Sequence, residues 1–333
     1  MKAVQVVAPS ELVVADLPEP IDDSQVLIRP QLVGVCGTDV KVFTGKIPVK
    51  YPRVMGHEMV GVIDSVPADS HLRPGMRVLL DPALSCGYCD LCRKGRPHLC
   101  RNAGLMGREV DGVFAEYVRA PQNALLPVPE SISDTAAGVL QVLGTVVHAQ
   151  RAVSVFPGQT AAVIGLGVAG QLMVQLLAER GVTVVGITRS EWKLDLAARM
   201  GAAAVAPPDR AASVLAELTD GRGPDLVVEA VGTEQTLSQA IELVTVGGEV
   251  LVFGTLTGGN QGLPYYQLYF KELTLYNPRA ALLGDYALGI ELTAAGRLDL
   301  EPIVSHQLTL DDAAQAFELV HDPASMKVLM RVN

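Results

Sequence analysis

The chain lacks long hydrophobic runs and runs of basic residues, and it is poor in aromatic residues. Aromatic residues make up 5% of the 333 residues, charged residues make up 19%, and the formal net charge is −10. No apolar stretch reaches the roughly 20 residues that a membrane-spanning helix needs. Binding along a phosphate backbone requires clustered positive charge, which this sequence does not contain. We therefore expect a soluble protein with no nucleic-acid or membrane partner.

Length and composition favour two domains of the α/β class. A chain of 333 residues exceeds the usual size of one domain. A hydrophobic share of 49% and 32 glycines suit buried strands joined by tight turns.

The N-terminal sequence, residues 1–4, shows no signal-peptide pattern. We therefore expect a cytoplasmic protein.

Cysteine is scarce as well, and its distribution is informative. Four of the five cysteines lie in the string CGYCDLCRKGRPHLC of residues 86–100. Their C-x2-C-x2-C-x7-C spacing allows four sulfurs to surround one tetrahedral zinc at Zn–S distances of about 2.3 Å. Disulfides and an iron–sulfur cluster are the alternatives, although cysteines three residues apart rarely pair with each other. We predict a structural zinc in the loop 81–101, with no open position for chemistry. The predicted ligands are Cys86, Cys89, Cys92 and Cys100.

The pattern of apolar residues changes along the chain. Residues 1–130 contain short β segments separated by glycine and proline, which indicates a β-rich, barrel-like unit. After a helical stretch that begins near Ser133, apolar strands alternate with helical segments from TAAVIGLG at 160–167 to EVLVFGT at 249–255. Such alternation predicts a parallel sheet covered on both faces. From about residue 285 the pattern is helical and polar before a final strand, and this part is expected to return to the first domain.

A glycine-rich turn lies where the first of these strands meets a helix. A G-x-G-x-x-G string alone is a weak signal, but the preceding strand and the following helix make it typical of dinucleotide binding. The first two glycines permit the tight turn and a close approach to a pyrophosphate, and the third allows close helix–strand packing. The helix N-terminus adds amide donors and a favourable dipole. The predicted cofactor-binding residues are Gly165, Leu166, Gly167, Val168, Ala169 and Gly170.

The end of the second strand distinguishes NAD from NADP. An NAD site has Asp or Glu there to bind the ribose 2′-hydroxyl, whereas this chain has Thr188 followed by Arg189. An acid would repel a 2′-phosphate, while hydroxyls and cations bind it. We therefore predict NADP(H), held by Thr188, Arg189, Ser190 and Lys193. The alternative is that both cations are solvated surface charges and that Glu191 binds the ribose.

A second metal site is indicated by Cys36 and by His57, which stands in a Gly-His-Glu triplet. One thiolate and one imidazole are the beginning of a catalytic zinc site with an open position for substrate. Each signal is weak alone, because a lone cysteine usually packs as a small hydrophobe and a short triplet occurs by chance.

Taken together, these motifs resemble those of the zinc-containing alcohol and polyol dehydrogenases of the medium-chain dehydrogenase/reductase superfamily. The resemblance covers essentially the whole chain. It implies a GroES-like β-rich catalytic domain over 1–142 and 285–333, and a Rossmann domain over 143–284, a doubly wound parallel sheet that binds NADP. It also implies an active site in the cleft between the domains and association into homodimers or homotetramers. The motifs are CGTD at 36–39, GHE at 56–58, the four-cysteine loop, DGVFAEYV at 111–118 and the glycine turn.

The resemblance assigns roles to the residues of the second metal site. Cys36 and His57 match ligands of the catalytic zinc, and Asp39 matches the carboxylate that orients the histidine. Thr38 matches the hydroxyl that contacts the substrate alcohol and starts a proton relay. Glu58 matches a carboxylate beside the metal, which ligates the metal directly in the polyol dehydrogenases.

One position departs from the family pattern. The third protein ligand of the family is Cys, Asp or Glu, but here it falls on Gln141, whose neutral amide is a weaker zinc ligand. The metal would then depend more on Glu58.

The resemblance also assigns residues to the cofactor site. Thr145 matches a residue that packs on the nicotinamide. The strand ends expected to line the cofactor are Val231, Gly232, Phe253, Gly254 and Thr255.

The function implied by this resemblance is zinc-dependent, reversible hydride transfer between a secondary alcohol or polyol and NADP+. Two other hypotheses remain open from the sequence. One is a zinc-independent quinone or enone reductase of the same superfamily, which Gln141 favours and which the presence of both Cys36 and His57 opposes. The other is a nucleotide-binding protein without catalysis.

Overall fold

The computed structural model describes residues 1–256 and 262–332. The chain divides into two compact units. The first unit consists of Met1–Gly144 together with the chain from Ala280 onward, and the second consists of Thr145–Arg279. Within the described residues, no helix is both long enough and apolar enough to cross a membrane.

The strands of the described residues are, in chain order, β1 (Lys2–Ala8), β2 (Glu11–Asp16), β3 (Val26–Val35), β4 (Arg53–Val54), β5 (Glu58–Ser65), β6 (Arg77–Leu80), β7 (Ala83–Leu84), β8 (Gly104–Leu105), β9 (Val118–Ala120), β10 (Leu125–Pro127), β11 (Thr160–Ile164), β12 (Thr183–Ile187), β13 (Ala204–Ala206), β14 (Leu226–Glu229), β15 (Glu249–Val252), β16 (Thr274–Tyr276), β17 (Val304–Thr309) and β18 (Lys327–Arg331). The α-helices are α1 (Gly37–Phe43), α2 (Asp90–Arg93), α3 (Asp134–Ala137), α4 (Leu140–Gln150), α5 (Val168–Glu179), α6 (Glu191–Arg199), α7 (Ala211–Leu218), α8 (Glu234–Leu243), α9 (Tyr265–Phe270), α10 (Leu283–Ala294) and α11 (Ala313–Leu319). Short 3-10 helices cover Pro97–Leu99, Gln122–Ala124, Glu301–Ile303 and Leu310–Asp312.

The first unit is built on mainly antiparallel strands. Its larger sheet has the order β10-β6-β5-β3-β18-β17, with β9 also paired to β3, and a smaller sheet has the order β2-β1-β4. The long strand β3 is buried along most of its length and pairs with β5 on one side and β18 on the other. Apolar side chains of these strands share a core with Phe114 and Phe317, whose rings meet edge to face. The segment after the second unit therefore supplies one interior strand, β18, and one edge strand, β17, to the sheet that the N-terminal segment begins.

The second unit is a doubly wound parallel sheet. Its strand order is β13-β12-β11-β14-β15-β16, and every pairing in it is parallel. Strand β11 is buried at each of its residues, as expected for a strand covered on both faces. This confirms the sheet predicted from the alternating pattern. The order reverses between β11 and β14, and nucleotides bind such sheets at the carboxyl ends of the strands at that point.

Candidate metal centres and cofactor site

Three predicted metal ligands converge in the first unit. Cys36 directly follows β3 and precedes α1, while Glu58 begins β5. The register of these two strands pairs Glu58 with Gly34, which brings Cys36 close to His57 and Glu58. One potential ligand atom from each of these three side chains lies within 4.8 Å of the others. A thiolate, an imidazole and a carboxylate at this spacing fit a single zinc ion.

Asp39 connects two of these residues. Its Oδ1 lies 3.2 Å from Nδ1 of His57, and its Oδ2 accepts a hydrogen bond of 2.9 Å from the backbone N–H of Cys36. Burial lowers the pKa of His57, but the charge and hydrogen bond of Asp39, followed by those of Cys36, raise it well above its usual value. A metal that binds Nε2 must therefore displace a proton. Thr38 lies beside Asp39 in the first turn of α1 and is half-buried.

Gln141, the fourth residue predicted for this site, is hydrogen-bonded to Tyr286, a residue that the sequence did not suggest. Gln141 is buried in the first turn of α4, and its Nε2 donates a hydrogen bond of 3.4 Å to the hydroxyl of Tyr286. Tyr286 packs over Gly144, where a Cβ would overlap its ring. Burial raises the pKa of Tyr286 well above its usual value, and nearby carboxylates, Glu58 among them, raise it further. The phenol is therefore a neutral hydrogen-bonding group at physiological pH.

Lys327 is a second residue that the sequence analysis did not identify. It is 2% exposed, as is Glu58. Its ammonium donates hydrogen bonds to Oε2 of Glu58 and, at 3.1 Å, to the backbone oxygen of Val35. In the sequence it begins the apolar string KVLMRV, so a charged residue at the start of a buried strand was the available signal. Its partner could be known only once β18 was placed beside β3.

The four clustered cysteines also converge on one point. The Sγ atoms of Cys86 and Cys100 are 3.4 Å apart, those of Cys89 and Cys92 are 3.5 Å apart, and those of Cys89 and Cys100 are 3.8 Å apart. A tetrahedron of sulfurs with Zn–S bonds of about 2.3 Å has edges of about 3.8 Å. All four are free thiols. Backbone N–H groups of Cys86 and Asn102 donate hydrogen bonds to the sulfur of Cys100, each at 3.3 Å.

The pKa values of these thiols show why a cation fits the cluster. Burial raises the pKa of Cys86, but hydrogen bonds from the backbone of Tyr88 and Cys89 outweigh it and lower the pKa to about 6. Burial and the neighbouring sulfurs raise the pKa of Cys92 to about 12. Without a cation the four thiols therefore cannot all ionise near neutral pH. A divalent metal removes this conflict, because each coordinated thiol loses its proton.

Replacing one cysteine of the cluster should affect stability more than catalysis. We expect Cys92→Ser to lower the free energy of unfolding by about 3 kcal/mol and Tm by roughly 6–12 °C, because structural zinc contributes to folding. Calorimetry and zinc content measure the effect, and Ser85→Ala, an exposed non-ligand change in the same loop, is the control. A Cys92→Ser protein that keeps full zinc content and an unchanged Tm would refute the structural role.

The glycine turn has the geometry of a nucleotide-binding turn. Gly165 has a φ of +94°, which a side chain would strain. A Cβ on Gly170 would overlap the carbonyl oxygen of Gly165, so this glycine lets α5 pack against the end of β11. A Cβ on Gly167 would meet no described atom within 4 Å. A side chain at Gly167 would therefore project into open space beside the N-terminus of α5, the part of such a turn at which phosphates bind. Of the other predicted residues, Leu166 is buried and Val168 and Ala169 are half-buried in the first helical turn.

The residues expected to select the cofactor lie between β12 and α6. Thr188 and Ser190 are half-buried, and Arg189 is exposed. The Lys193 ammonium lies 5.1 Å from the ring centroid of Trp192, and burial lowers its pKa. This segment therefore offers two hydroxyls and two cations, together with the exposed carboxylate of Glu191, and Thr188 stands where an NAD site has an acid.

Two further strand ends of the second unit meet through Glu229, the buried residue that ends β14. Its Oε1 accepts hydrogen bonds of 2.8 Å from the backbone N–H groups of Val231 and Gly232. Its backbone oxygen accepts hydrogen bonds from Phe253 and Gly254 at 2.8 and 3.0 Å. The structure thus brings together the predicted strand ends, while Thr255 is exposed beside them and Thr145 is half-buried in α4. Glu229 was not predicted, although an acid ending an apolar strand is a visible signal.

The fold and the two groups of metal ligands define a class, the zinc-binding dehydrogenases. Two protein-family models match the chain. The family of the alcohol dehydrogenase GroES-like domain matches residues 22–130, and the zinc-binding dehydrogenase family matches residues 168–294. L-threonine 3-dehydrogenase of Anaeromyxobacter sp. strain K is 31% identical over 95% of this chain and 93% of its own. The chain therefore belongs to the zinc-containing alcohol and polyol dehydrogenases of the medium-chain dehydrogenase/reductase superfamily, with a GroES-like domain and a Rossmann domain.

Two other comparisons agree with this membership. A protein named "Probable D-xylulose reductase A" from Emericella nidulans is 29% identical over 92% of this chain and 88% of its own length. A protein of Sinorhizobium meliloti 1021, solved with NADP bound, superposes with a TM-score of 0.93 at 29% identity. The superposition covers 99% of this chain and 98% of that one.

Proposed function

We propose that this protein is a zinc-dependent oxidoreductase that transfers hydride between a secondary alcohol or polyol and NADP(H). The convergence of Cys36, His57 and Glu58 within 4.8 Å carries the proposal. Zinc in this group would supply Lewis acidity toward the substrate oxygen, and the nicotinamide would accept or return the hydride. The proposed catalytic domain comprises residues 1–142 and 285–333, and the proposed NADP domain comprises residues 143–284.

In this proposal the protein's residues orient groups and move a proton. Asp39 fixes the ring of His57 so that Nε2 faces the metal. Thr38 accepts the proton of the substrate hydroxyl and passes it towards solvent, a short transfer between hydroxyl groups. Gln141 and Tyr286 are neutral, so they form a polar wall that adds no charge beside the reacting oxygen. The glycine turn and the Glu229-linked strand ends hold the cofactor.

The preference for NADP rests on the segment after β12. Thr188 occupies the position of the acid that binds a ribose 2′-hydroxyl, and Arg189, Ser190 and Lys193 follow it. These side chains attract a 2′-phosphate, which a carboxylate would repel. The relative from Sinorhizobium meliloti that was solved with NADP is an example of a protein of this fold that binds this cofactor.

The substrate class rests on the relatives together with the metal group. One relative is named for reducing D-xylulose, a ketose, and another for oxidising L-threonine at its third carbon, which bears a secondary alcohol. In this chain Glu58 is the third member of a Cys–His–Glu set. Gln141 occupies the position at which the family has an anionic ligand. A secondary alcohol or polyol is therefore the class that we propose, without a choice among individual compounds.

A single experiment separates the proposed function from the two rivals. Zinc content and turnover are measured before and after dialysis against a chelator, with a panel of secondary alcohols and polyols plus NADP+. We expect turnover on at least one alcohol. Turnover should disappear when the chelator removes the less tightly held zinc, and it should return when zinc is added back. Chelator-resistant reduction of a quinone or enone would favour the zinc-independent reductase. Cofactor binding without turnover on any substrate would favour a non-catalytic protein.

Gln141 provides a direct test of the metal's surroundings. We expect Gln141→Glu to slow zinc loss to a chelator roughly tenfold, because a carboxylate binds zinc more tightly than an amide does. Zinc release is followed with a chromogenic chelator. The Cys36→Ala protein is the reference, because it is expected to hold only the zinc of the four-cysteine cluster. Unchanged or faster release from Gln141→Glu would show that this side chain does not lie beside the metal.

We also propose that the protein forms homodimers or homotetramers through the β16 edge of the second unit. Tyr269 and Phe270 are 78% and 64% exposed, and Leu275 in β16 is 39% exposed. An open sheet edge beside exposed aromatic rings favours pairing with a second copy about a two-fold axis. Light scattering should give at least twice the chain mass of 35.2 kDa, and Leu275→Lys should shift the protein towards monomer. A wild-type mass of one chain would contradict the proposal.

A cytoplasmic location fits the cysteine chemistry. All five cysteines are free thiols, and four of them lie together at distances suited to a metal. A reducing compartment keeps such thiols available as zinc ligands. We propose this location on that ground.

A further inference from the structure

Gln171 is a buried polar residue to which the proposed reaction gives no role. It directly follows the last glycine of the turn at 165–170, lies in the mainly apolar helix α5 and is 0% exposed. Burying an amide costs free energy unless its atoms are hydrogen-bonded, and Oε1 of Gln171 has no hydrogen-bond partner among the described residues. An apolar side chain would avoid that cost. The amide therefore calls for an explanation beyond the packing of α5.

The nitrogen of this amide joins two parts of the proposed cofactor site. Nε2 of Gln171 donates a hydrogen bond of 2.9 Å to the backbone oxygen of Lys193 and one of 3.4 Å to the backbone oxygen of Leu166. Leu166 belongs to the glycine turn, which is proposed to hold the pyrophosphate. Lys193 lies in the first turn of α6, in the segment 188–193 that is proposed to hold the 2′-phosphate. One side chain thus links the segments that would bind the two phosphate groups.

The same two segments also meet through apolar contacts. A Cβ on Gly186 of β12 would lie 3.1 Å from Cδ1 of Leu166 and 3.4 Å from Cβ of Ala197 in α6, so the glycine turn, β12 and α6 approach one another closely here. Apolar contacts have no preferred direction, whereas an N–H···O bond weakens steeply when its geometry is disturbed. The amide of Gln171 therefore adds a directional constraint to a contact that would otherwise tolerate sliding.

The side chain of Lys193 is held at its other end as well. Its ammonium lies 5.1 Å from the ring centroid of Trp192, a distance at which a cation is attracted to the face of an aromatic ring. Gln171 fixes the backbone of Lys193 and Trp192 restrains the charged end. The position of this cation relative to the glycine turn is thus set before a cofactor binds.

We propose that Gln171 is a positioning residue that sets the spacing between the glycine turn and α6, and thereby the strength with which the site discriminates in favour of a 2′-phosphate. The inference rests on the proposed function, because it takes NADP(H) to be the cofactor. Groups that are held in place before binding lose less conformational freedom when the ligand arrives. Without the link, the cations of 188–193 must be ordered by the 2′-phosphate itself, while the contacts of the glycine turn with the pyrophosphate remain.

The test compares two fragments of the cofactor. Both 2′,5′-ADP and 5′-AMP carry the 5′-phosphate, and only the first carries the 2′-phosphate. We expect Gln171→Met, which keeps the approximate length of the side chain, to weaken the binding of 2′,5′-ADP roughly tenfold, the lower end of the range for a charge-assisted contact. Its affinity for 5′-AMP should stay within about twofold of the wild type. Isothermal titration calorimetry measures both affinities.

Gln175→Met is the matched control, because it removes a second buried amide from the same helix, one turn further from the glycine turn. It should leave both affinities close to those of the wild type. In turnover assays, Gln171→Met should raise KM for NADP+ and leave kcat at saturating NADP+ unchanged. Equal weakening of both fragments, or a fall in kcat with unchanged KM, would indicate a general loosening of the fold and would overturn the inference.

The wild type separates this inference from the proposed function. Equal affinity of the wild type for the two fragments would contradict the proposed preference for NADP. A wild type that prefers 2′,5′-ADP, together with a Gln171→Met protein that retains the full preference, would overturn the role of Gln171 alone.

Hydrogen–deuterium exchange of the wild type provides a test that does not depend on the folding of a variant. Replacing bound 5′-AMP with 2′,5′-ADP should slow amide exchange in 188–193 and, through Gln171, in the glycine turn as well. Slower exchange confined to 188–193 would overturn the inference even if Gln171→Met did not fold.

Discussion

Replacing Cys36 with alanine should lower kcat/KM for an alcohol substrate by at least roughly 1,000-fold and leave the affinity for NADP+ within about twofold. The first effect corresponds to about 4 kcal/mol, because a metal that polarises the substrate oxygen stabilises the transition state by several kcal/mol. The second follows because the proposed cofactor residues belong to the second unit and Cys36 belongs to the first. Steady-state kinetics measures the first, and the fluorescence of Trp192, the one tryptophan in the chain, measures the second.

Zinc analysis provides the control for Cys36→Ala. The variant should keep the zinc of the four-cysteine cluster and its Tm, so that the lost activity does not reflect unfolding. His57→Ala should behave in the same way. Retention of wild-type turnover by either variant would exclude a zinc-dependent mechanism at this site and favour the zinc-independent reductase.

The pair Thr188→Asp and Arg189→Leu should reverse the cofactor preference from NADP+ to NAD+. Loss of Arg189 removes a charge-assisted contact with the 2′-phosphate, worth roughly 1.5–3 kcal/mol or about ten- to a hundred-fold in affinity. Aspartate at 188 adds repulsion against that phosphate and a partner for the ribose 2′-hydroxyl. The wild type should show the higher kcat/KM with NADP+, and the double variant the higher kcat/KM with NAD+.

Competitive inhibition isolates the contribution of the 2′-phosphate. The wild type should bind 2′,5′-ADP more tightly than 5′-AMP, and the double variant should lose this difference. Glu191→Gln is the matched control, since in the alternative interpretation this acid binds the ribose. A wild type that prefers NAD+, with Glu191→Gln weakening NAD+ binding, would show that Glu191 is the ribose-binding acid.

The local parts of these sites could be predicted from the sequence. The turn at 165–170 and the cysteines of 86–100 each lie within one short segment, so their spacing alone indicates what they bind. The doubly wound sheet followed from alternation of apolar strands and helices, which is also a local pattern. The pairing of Cys36 with His57 needed the resemblance to a family, because these residues lie on separate segments.

The unpredicted residues owe their positions to contacts between distant segments. Lys327 is separated from Glu58 by 269 residues along the chain, and Tyr286 from Gln141 by 145. Their local sequences are those of an ordinary strand and an ordinary helix. Nothing in either segment encodes its partner, which depends on the strand order β5-β3-β18 and on the packing of α10 over Gly144. Such contacts are determined by tertiary structure and not by periodicity.

The position of β18 also determines the order in which the protein can mature on the ribosome. The second unit is one continuous stretch of chain, Thr145–Arg279, and its parallel sheet needs no residue that is synthesised later. The sheet of the first unit does, because β18 is translated after the second unit and inserts between β3 and β17. We expect the second unit to fold during translation. At that stage β3 still lacks its neighbour β18, so the sheet that carries the proposed metal ligands is incomplete. We therefore expect zinc loading at the proposed Cys36–His57 site to follow translation.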